Sequence, residues 1–214
     1  MKKSFAVIGL GRFGRSIAME LSKLGAYVMV IDNNEEKINR MSDYVTYAMK
    51  LDACDTDALS NAGISNMDAV IVAMADYLEP SIMSVITAKD LGVPLVVVKA
   101  RDHVTGEIFS KVGADNVVYP ERESGKRISR KLMCSDLLDF FELSDNISLI
   151  ELLPKKEWIG KTLRELDLRR DYKINVIAIK DGDEVNVVMD PDEPIKADCP
   201  LIVTVKKIDM KRLM

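Results

Sequence analysis

The sequence has few of the residues from which catalytic and metal centres are built. Its 214 residues include one histidine, His103, and three cysteines. Cys54, Cys134 and Cys199 are far apart and odd in number, which fits neither a zinc-site spacing nor a disulfide framework. They indicate free thiols in a reducing compartment. No Ser-His-Asp set, H-x-x-x-H or G-x-x-x-x-G-K-[ST] motif occurs, so the sequence favours binding over chemistry.

Long apolar runs and an excess of positive charge are also missing. The longest apolar segments, "AVIVAMA" and "PLVVV", have the length of buried strands and fall well short of the ~18 residues that suggest a membrane span. Arg12 and Arg15 interrupt the apolar start too early for a signal peptide. The formal net charge of −4 argues against nucleic acid as a partner. We expect a cytoplasmic protein that reaches a membrane only through a partner.

Residues 1–120 alternate short apolar runs with amphipathic ones. The apolar runs are "FAVIGL", "YVMVID", "VTYAMKL", "DAVIVAM", "PLVVVKA" and "NVVYP", and helical patterns separate them. Strands that are apolar throughout and alternate with helices are typical of a parallel sheet covered on both faces. The sequence therefore predicts an α/β fold with a doubly wound, Rossmann-like sheet in this domain.

The pattern changes after residue 120. Residues 121–144 are predicted to be helical without strand character, and their dense apolar residues suggest a crossover and dimerisation segment; packing against its own domain is the alternative. Residues 145–214 predict a small α+β domain with a hairpin turn at Asp181 and Gly182. A domain of that size gains stability from pairing.

The stretch "GLGRFG" is the strongest local motif. Gly9, Gly11 and Gly14 have the spacing G-x-G-x-x-G between a predicted strand and a predicted helix, which is the context of a dinucleotide-binding turn. In such a turn the second glycine lets the backbone approach a pyrophosphate, and the helix N-terminus attracts the phosphates. Arg12 inside the motif can pair with a terminal phosphate or lie solvated at the mouth of the cleft.

Acidic and basic residues follow the predicted strands. Asp32 ends the second strand and can accept ribose hydroxyls, while its charge disfavours a 2′-phosphate, so NAD(H), ATP or ADP is expected over NADP. Asp52 ends the third strand and either reaches the adenosine or caps the next helix. Lys99 and Arg101 end the fifth strand and either face the phosphates or pair with nearby carboxylates.

These segments resemble a known family. "FAVIGLGRFG", Asp32, "LDACDTDAL", "VVVKAR" and "VVYPERESGKRIS" are similar to the N-terminal RCK domain of KtrA/TrkA-type regulatory subunits of potassium uptake systems, and "GRFG" with "YPER" is most similar to the KtrA branch. Residues 146–213 resemble the RCK C-terminal (TrkA-C) domain. The resemblance implies a non-enzymatic cytoplasmic subunit that dimerises, assembles into an octameric ring and docks on a KtrB/TrkH-like membrane subunit.

The resemblance also implies ligands. ATP, ADP or NAD(H) would bind the first domain and change the shape of the ring. Glu121 in "YPER" would help to hold Mg²⁺ or Ca²⁺ between ATP-bound protomers; a carboxylate stabilised by a helix N-terminus is the alternative. The candidate nucleotide-binding residues are Gly9, Gly11, Arg12, Phe13, Gly14, Asp32, Asn33, Asp52, Ala53, Lys99 and Arg101.

A second ligand is implied for the second domain. Many Gram-positive relatives bind cyclic di-AMP at the dimer interface. In "LRRDYKINVIAI", Arg169 would hold a phosphate, Asn175 would supply an amide, and Val176 and Ile177 would contact the bases. The alternative is an ordinary edge strand with a surface arginine.

Two other functions compete with regulation. A small NAD-dependent oxidoreductase needs a histidine or tyrosine placed against the nicotinamide, and the second domain offers no evident proton donor. A redox-responsive transcription factor needs a basic DNA-reading helix, which the sequence pI of about 5.2 does not favour.

Overall fold

The computed structural model describes residues 2–133 and 136–213. The chain divides into two compact units, residues 1–121 (the N unit) and residues 122–214 (the C unit). Cys134 lies outside the described residues. Within the described ranges, no helix combines the length and the apolar character needed to cross a bilayer.

The N unit contains a parallel sheet of six strands in the order β3-β2-β1-β4-β5-β6. This confirms the doubly wound, Rossmann-like fold predicted for residues 1–120. The strands are β1 (Ser4–Ile8), β2 (Tyr27–Asp32), β3 (Tyr47–Lys50), β4 (Ala69–Val72), β5 (Val96–Lys99) and β6 (Asn116–Val118). Its helices are α1 (Arg12–Lys23), α2 (Glu35–Met41), α3 (Thr56–Asn61), α4 (Leu78–Asp90) and α5 (His103–Lys111), with a 3₁₀ turn at Ile64–Asn66. Helix α6 (Pro120–Met133) begins at the end of the N unit, and most of its residues belong to the C unit.

The sheet has an apolar core on each face, which explains why its central strands are almost entirely apolar. Ala6 and Ile8 of β1 pack into one cluster, and Val7 between them packs into the other. Successive side chains of a strand point to opposite faces, so a strand buried on both sides needs an apolar residue at every position.

Polar caps begin several of the helices at the carboxyl edge of this sheet. The side chain of Asn34 accepts a hydrogen bond from the Lys37 N–H at the start of α2, and Asp55 does the same for Ala58 at the start of α3. Asp102 forms a capping box at the start of α5. Such caps satisfy amide groups that a helix leaves unpaired. Because the caps follow soon after β2, β3 and β5, the N-termini of α2, α3 and α5 lie beside the ends of these strands.

The prediction of a continuous helical segment over residues 121–144 is wrong in its second half. Helix α6 ends at Met133, and Leu137–Glu142 forms strand β7, antiparallel to β8 (Ile147–Leu152). The register shifts between Leu137 and Asp139, so that Leu137 and Phe140 are both buried. A β-bulge of this kind gives a strand an inward spacing of three residues, which is the spacing of a helix.

The C unit contains an antiparallel sheet in the order β10-β9-β11-β8-β7. Its other strands are β9 (Ile174–Asp181), β10 (Glu184–Asn186) and β11 (Leu201–Lys206), and its helices are α7 (Leu163–Leu166), α8 (Leu168–Asp171) and a 3₁₀ helix at Lys207–Arg212. The predicted hairpin turn is present one residue later: Asp181 pairs with Glu184, so the turn residues are Gly182, at φ 59°, and Asp183. Strand β10 is short, and Asp167 at φ 38° separates α7 from α8.

The core of the C unit surrounds Trp158, which is fully buried. Ile150 and Leu201 on neighbouring strands pack in the same cluster. The Trp158 ring meets Tyr172 edge-on at 4.9 Å between centroids. An aromatic residue of this size contributes a large share of the apolar area that a small domain can bury.

Candidate functional site

A cavity of about 610 Å³ opens at the carboxyl ends of the strands in the N unit. The strand order reverses between β1 and β4, and open α/β sheets bind their ligands in the crevice at such a reversal. The volume falls within the usual range for small-molecule sites. The lining residues are Ile8, Gly9, Gly11, Arg12, Phe13, Ile31, Asp32, Asn33, Lys37, Leu51, Asp52, Ala53, Ala73, Met74, Ala75, Asp76, Tyr77, Pro80, Lys99, Arg101 and Glu121.

The three glycines of the motif have different surroundings. Gly9 has φ +95°, and a Cβ there would lie 2.3 Å from Met74 Cγ. A Cβ on Gly14 would lie 2.0 Å from the Gly9 carbonyl oxygen, so this glycine lets α1 pack closely against the loop. A Cβ on Gly11 would meet nothing within 4 Å, because it would point into open space at the N-terminus of α1. Gly11 therefore leaves room for a group that approaches the backbone.

Asp32 is held in place at the end of β2 by several hydrogen bonds. One carboxylate oxygen accepts the Leu10 N–H at 2.7 Å, and the other accepts the Asn34 N–H at 2.9 Å. Lys37 Nζ lies 3.1 and 3.3 Å from the two oxygens. Asp32 is only 7% exposed. It therefore links the glycine loop to the start of α2 as well as presenting a carboxylate at the cavity.

The loop after β3 supplies Asp52 and Ala53. Asp52 lines the cavity, and its carboxylate accepts the Cys54 N–H at 2.9 Å. Asp55, rather than Asp52, caps α3, so Asp52 is not the helix cap that was the alternative. Ala53 is buried and lines the cavity beside it.

The opposite end of the cavity is cationic and contains an ion pair. Lys99 Nζ lies 2.6 Å from a Glu121 carboxylate oxygen and 5.7 Å from the centre of the Phe13 ring. The hydrogen bond from Lys99 lowers the pKa of Glu121, and the charge of Arg12 lowers it further. The Lys99 side chain is 16% exposed, whereas that of Glu121 is 71% exposed. Lys99 is thus fixed near the glycine loop, and Glu121 extends to the solvent.

Arg101 lines the same region from the end of β5. Its Nε lies 3.3 Å from the carboxylate of Asp102, the cap of α5. The carboxylate pairing that the sequence left open is therefore present for both Lys99 and Arg101. Because the Arg101 side chain is 66% exposed, its pairing with Asp102 competes with water and is weak.

The candidate residues of the second ligand site lie in the C unit. Arg169 and Asn175 line a depression of about 260 Å³ together with Lys173. The Arg169 Nε–H donates to Asn175 Oδ1 at 2.7 Å. Val176 packs against the core and Ile177 is 41% exposed, so the two apolar residues differ in environment.

Comparison with known proteins assigns the family. The TrkA-N domain model matches residues 5–120 and the TrkA-C domain model matches residues 147–214. The Ktr system potassium uptake protein C of Bacillus subtilis (strain 168) is 42% identical over 212 residues, 99% of this chain and 96% of that relative. The chain belongs to the TrkA-type potassium uptake family.

A second relative agrees with this TrkA-type assignment, and solved structures agree with the fold. The Ktr system potassium uptake protein A of the same Bacillus subtilis strain is 35% identical over 98% of this chain and 95% of its own length. The GsuK RCK domain has a TM-score of 0.68 at 17% identity, covering 100% of this chain and 47% of its own. The GsuK channel bound to NAD has a TM-score of 0.67 at 17% identity and is covered over 39% of its length. The chain spans less than half of these two structures, which show its fold.

The TrkA-N domain brings most of the predicted nucleotide-binding residues to one cavity. Gly14 does not line it and acts in packing instead. The prediction missed the loop after β4, where Met74, Asp76 and Tyr77 line the cavity, and also Lys37 on α2. The signal for the loop was its place after a buried strand, since the carboxyl ends of parallel strands share one edge. Lys37 lies five residues after Asp32 and had no motif to mark it.

Proposed function

We propose that this chain is a nucleotide-sensing regulatory subunit of a potassium transporter, and not an enzyme. Family membership places it among potassium uptake proteins. The observation that carries the proposal is the N-unit cavity, which an open backbone face at Gly11, the Asp32 carboxylate and the Arg12 and Lys99 cations all line. An adenine nucleotide carries groups that match these: a ribose for the carboxylate, and phosphates for the open backbone and the cations.

The nucleotide lies with its ribose at Asp32 and its phosphates over the glycine loop. Free N–H groups at the start of α1 and the positive end of its dipole attract the phosphates. Arg12 binds a terminal phosphate, and Lys99 contributes a second positive charge. Asn33, Asp52 and Ala53 surround the adenosine. ATP, ADP and NAD(H) all fit this arrangement; the GsuK structures include one bound to NAD and one bound to ADP.

Regulation requires that the nucleotide bind differently to two shapes of an assembly. A ligand shifts a conformational equilibrium only by its difference in affinity for the two states. We assign residues 1–120 to nucleotide binding and residues 145–214 to the C-terminal domain. Within residues 121–144, we assign crossover and dimerisation to α6, because β7 belongs to the sheet of the C unit. Ile128 and Leu132, one turn apart on α6, are 54% and 83% exposed and form an apolar stripe suited to a second copy. Dimers assemble into a ring on the cytoplasmic face of a membrane-embedded potassium-transporting subunit.

We expect a divalent cation to be bound between neighbouring protomers and not by a single chain. The described residues contain no cluster of three or more histidine, cysteine or acidic side chains suited to a metal. Glu121 offers one exposed carboxylate whose observed partner is Lys99. Two such carboxylates from neighbouring protomers, with nucleotide phosphates, would supply the oxygen ligands that Mg²⁺ or Ca²⁺ prefers.

Cyclic di-AMP is the second proposed ligand. Arg169 and Lys173 provide positive charge at the depression in the C unit, and Asn175 provides an amide. Ile177 is exposed enough to contact a base, whereas Val176 supports the strand from the core side.

Calorimetric titration of the purified chain with ATP, ADP, NADH and cyclic di-AMP, with and without Mg²⁺, tests the proposal. We expect saturable binding of adenine nucleotides without turnover, and a dimer or larger species by analytical ultracentrifugation. Ile128→Ser with Leu132→Ser should shift the protein toward monomer while nucleotide affinity is retained. Steady-state oxidation of NADH with a substrate would support the oxidoreductase instead, and a monomer at micromolar concentration with and without ATP would overturn the assembly.

A further inference from the structure

Lys37 contacts both oxygens of the carboxylate that faces the ribose. It lies in the first turn of α2, where its N–H donates to the cap Asn34 at 3.2 Å. Its Nζ is 3.1 Å from one Asp32 oxygen and 3.3 Å from the other. The Lys37 side chain lines the cavity and is 45% exposed. Its ammonium group is therefore both bound to Asp32 and accessible to a ligand.

The acceptor positions of Asp32 are all in use. An ionised carboxylate offers about four of them. The Leu10 and Asn34 N–H groups take one position on each oxygen, and Lys37 contacts each oxygen once. The two backbone donors are parts of the glycine loop and the α2 N-terminus, so Lys37 is the partner that can move. A ribose hydroxyl can donate to Asp32 only when Lys37 gives up one of its contacts.

We propose that Lys37 determines how the site treats the 2′ position of the ribose. The inference rests on the proposed nucleotide function. When a ribose hydroxyl displaces the ammonium group from Asp32, the ammonium group lies beside the ribose 2′ position and binds the substituent there. A lone carboxylate rejects a 2′-phosphate by charge repulsion, whereas a nearby cation accommodates it. The Asp32–Lys37 pair has no net charge, so the site tolerates a 2′-phosphate that Asp32 alone would exclude.

Binding of NADH and NADPH tests this inference, because the two ligands differ only by the 2′-phosphate. The variants are Lys37→Gln, which removes the charge, and Lys37→Arg, which keeps it. Lys50→Gln is the matched control: Lys50 pairs with Glu35 of α2 at 2.8 Å, and its side chain is 54% exposed. Lys50 is not among the residues that line the cavity.

Lys37→Gln should raise the Kd of NADPH by about tenfold or more and that of NADH by less than about threefold, since only NADPH loses an ion pair. Lys37→Arg and Lys50→Gln should keep the wild-type ratio of the two Kd values. If Lys37→Gln still binds NADH and the ratio of the two Kd values is unchanged, the proposed role of Lys37 is overturned but the proposed nucleotide function is not. If the wild-type chain binds none of NADH, NADPH and ADP, the proposed function is overturned, and this inference with it.

Discussion

Replacing Gly11 by alanine tests whether this glycine is required for folding or for ligand binding. Gly11 has φ −66° and ψ −178°, a conformation open to any residue, and its Cβ would meet nothing within 4 Å. Nothing in the protein itself requires a glycine there. At Gly14, by contrast, a Cβ would lie 2.0 Å from the Gly9 carbonyl oxygen and 3.0 Å from Ala73 Cβ.

The two substitutions should differ in their effect on stability. For Gly11→Ala, the lower entropy of the unfolded chain contributes about 0.4–1 kcal/mol of stability, and the poorer N-cap removes a similar amount. The net change should stay within about 1 kcal/mol, or a shift in Tm of about 2–4 °C at most. Gly14→Ala must move backbone, so it should cost about 3 kcal/mol or more, the upper end of overpacking effects.

Gly11→Ala should weaken ligand binding even though it leaves stability nearly unchanged. In Gly11→Ala the new methyl group occupies the space through which a pyrophosphate approaches the loop. We expect the Kd of ADP to rise by about tenfold or more, which corresponds to at least about 1.4 kcal/mol. Calorimetry gives the Kd, and differential scanning fluorimetry gives the Tm of each variant. Ser16→Ala, an exposed position on the same helix α1 outside the cavity, is the control and should bind ADP like the wild type.

A folded Gly11→Ala variant that binds ADP with wild-type affinity would refute the reasoning, because no phosphate could then lie against this backbone. A large loss of Tm in Gly11→Ala would refute it differently, since the glycine would then be serving the fold.

Three further predictions concern single residues. Asp32→Asn should lower both stability and ADP affinity, since an amide cannot accept at both of its ends from the two backbone N–H groups; about 1–3 kcal/mol of unfolding free energy is expected from denaturant titration. In Asp115, the Val96 N–H and then Lys89 lower the pKa, so its charge stabilises the fold above the ordinary aspartate pKa of about 3.9 and ceases to do so as the pH falls through the lowered value. Asp115→Asn should therefore cost about 0.5–1 kcal/mol at pH 7 and little near pH 2, measured by urea unfolding; equal costs at both values would contradict the ion pair. Trp158→Ala should cost about 3–5 kcal/mol through loss of buried area, yet leave the Kd of ADP unchanged below the unfolding transition. A changed Kd would contradict the assignment of the nucleotide site to the N unit.

The general plan of the N unit could be predicted from periodicity alone. Runs such as residues 28–31 are apolar and buried at every position, and only a strand buried on both faces requires that. The glycine spacing and Asp32 then placed the site at one edge of the sheet, because parallel strands present all their carboxyl ends together. The local sequence pattern is therefore sufficient where a residue type is determined by its own strand or turn.

Two features could not be predicted in this way. Strand β7 was predicted as helix because its bulge brings Leu137 and Phe140 to one face, and a bulge depends on the partner strand. The loop after β4, including Tyr77, reaches the cavity only because β4 lies beside β1 in the sheet.

The sequence by itself determined the order of strands and helices in the N unit, the glycine turn and the acid that follows the second strand. Each of these depends on backbone conformation and side-chain period within a few residues. Only the tertiary structure decided how the charges combine: Lys99 with Glu121, and Asp32 with Lys37 as well as two backbone amides. Charge pairing depends on distances between side chains from different elements, and those distances exist only after the sheet and its helices have packed.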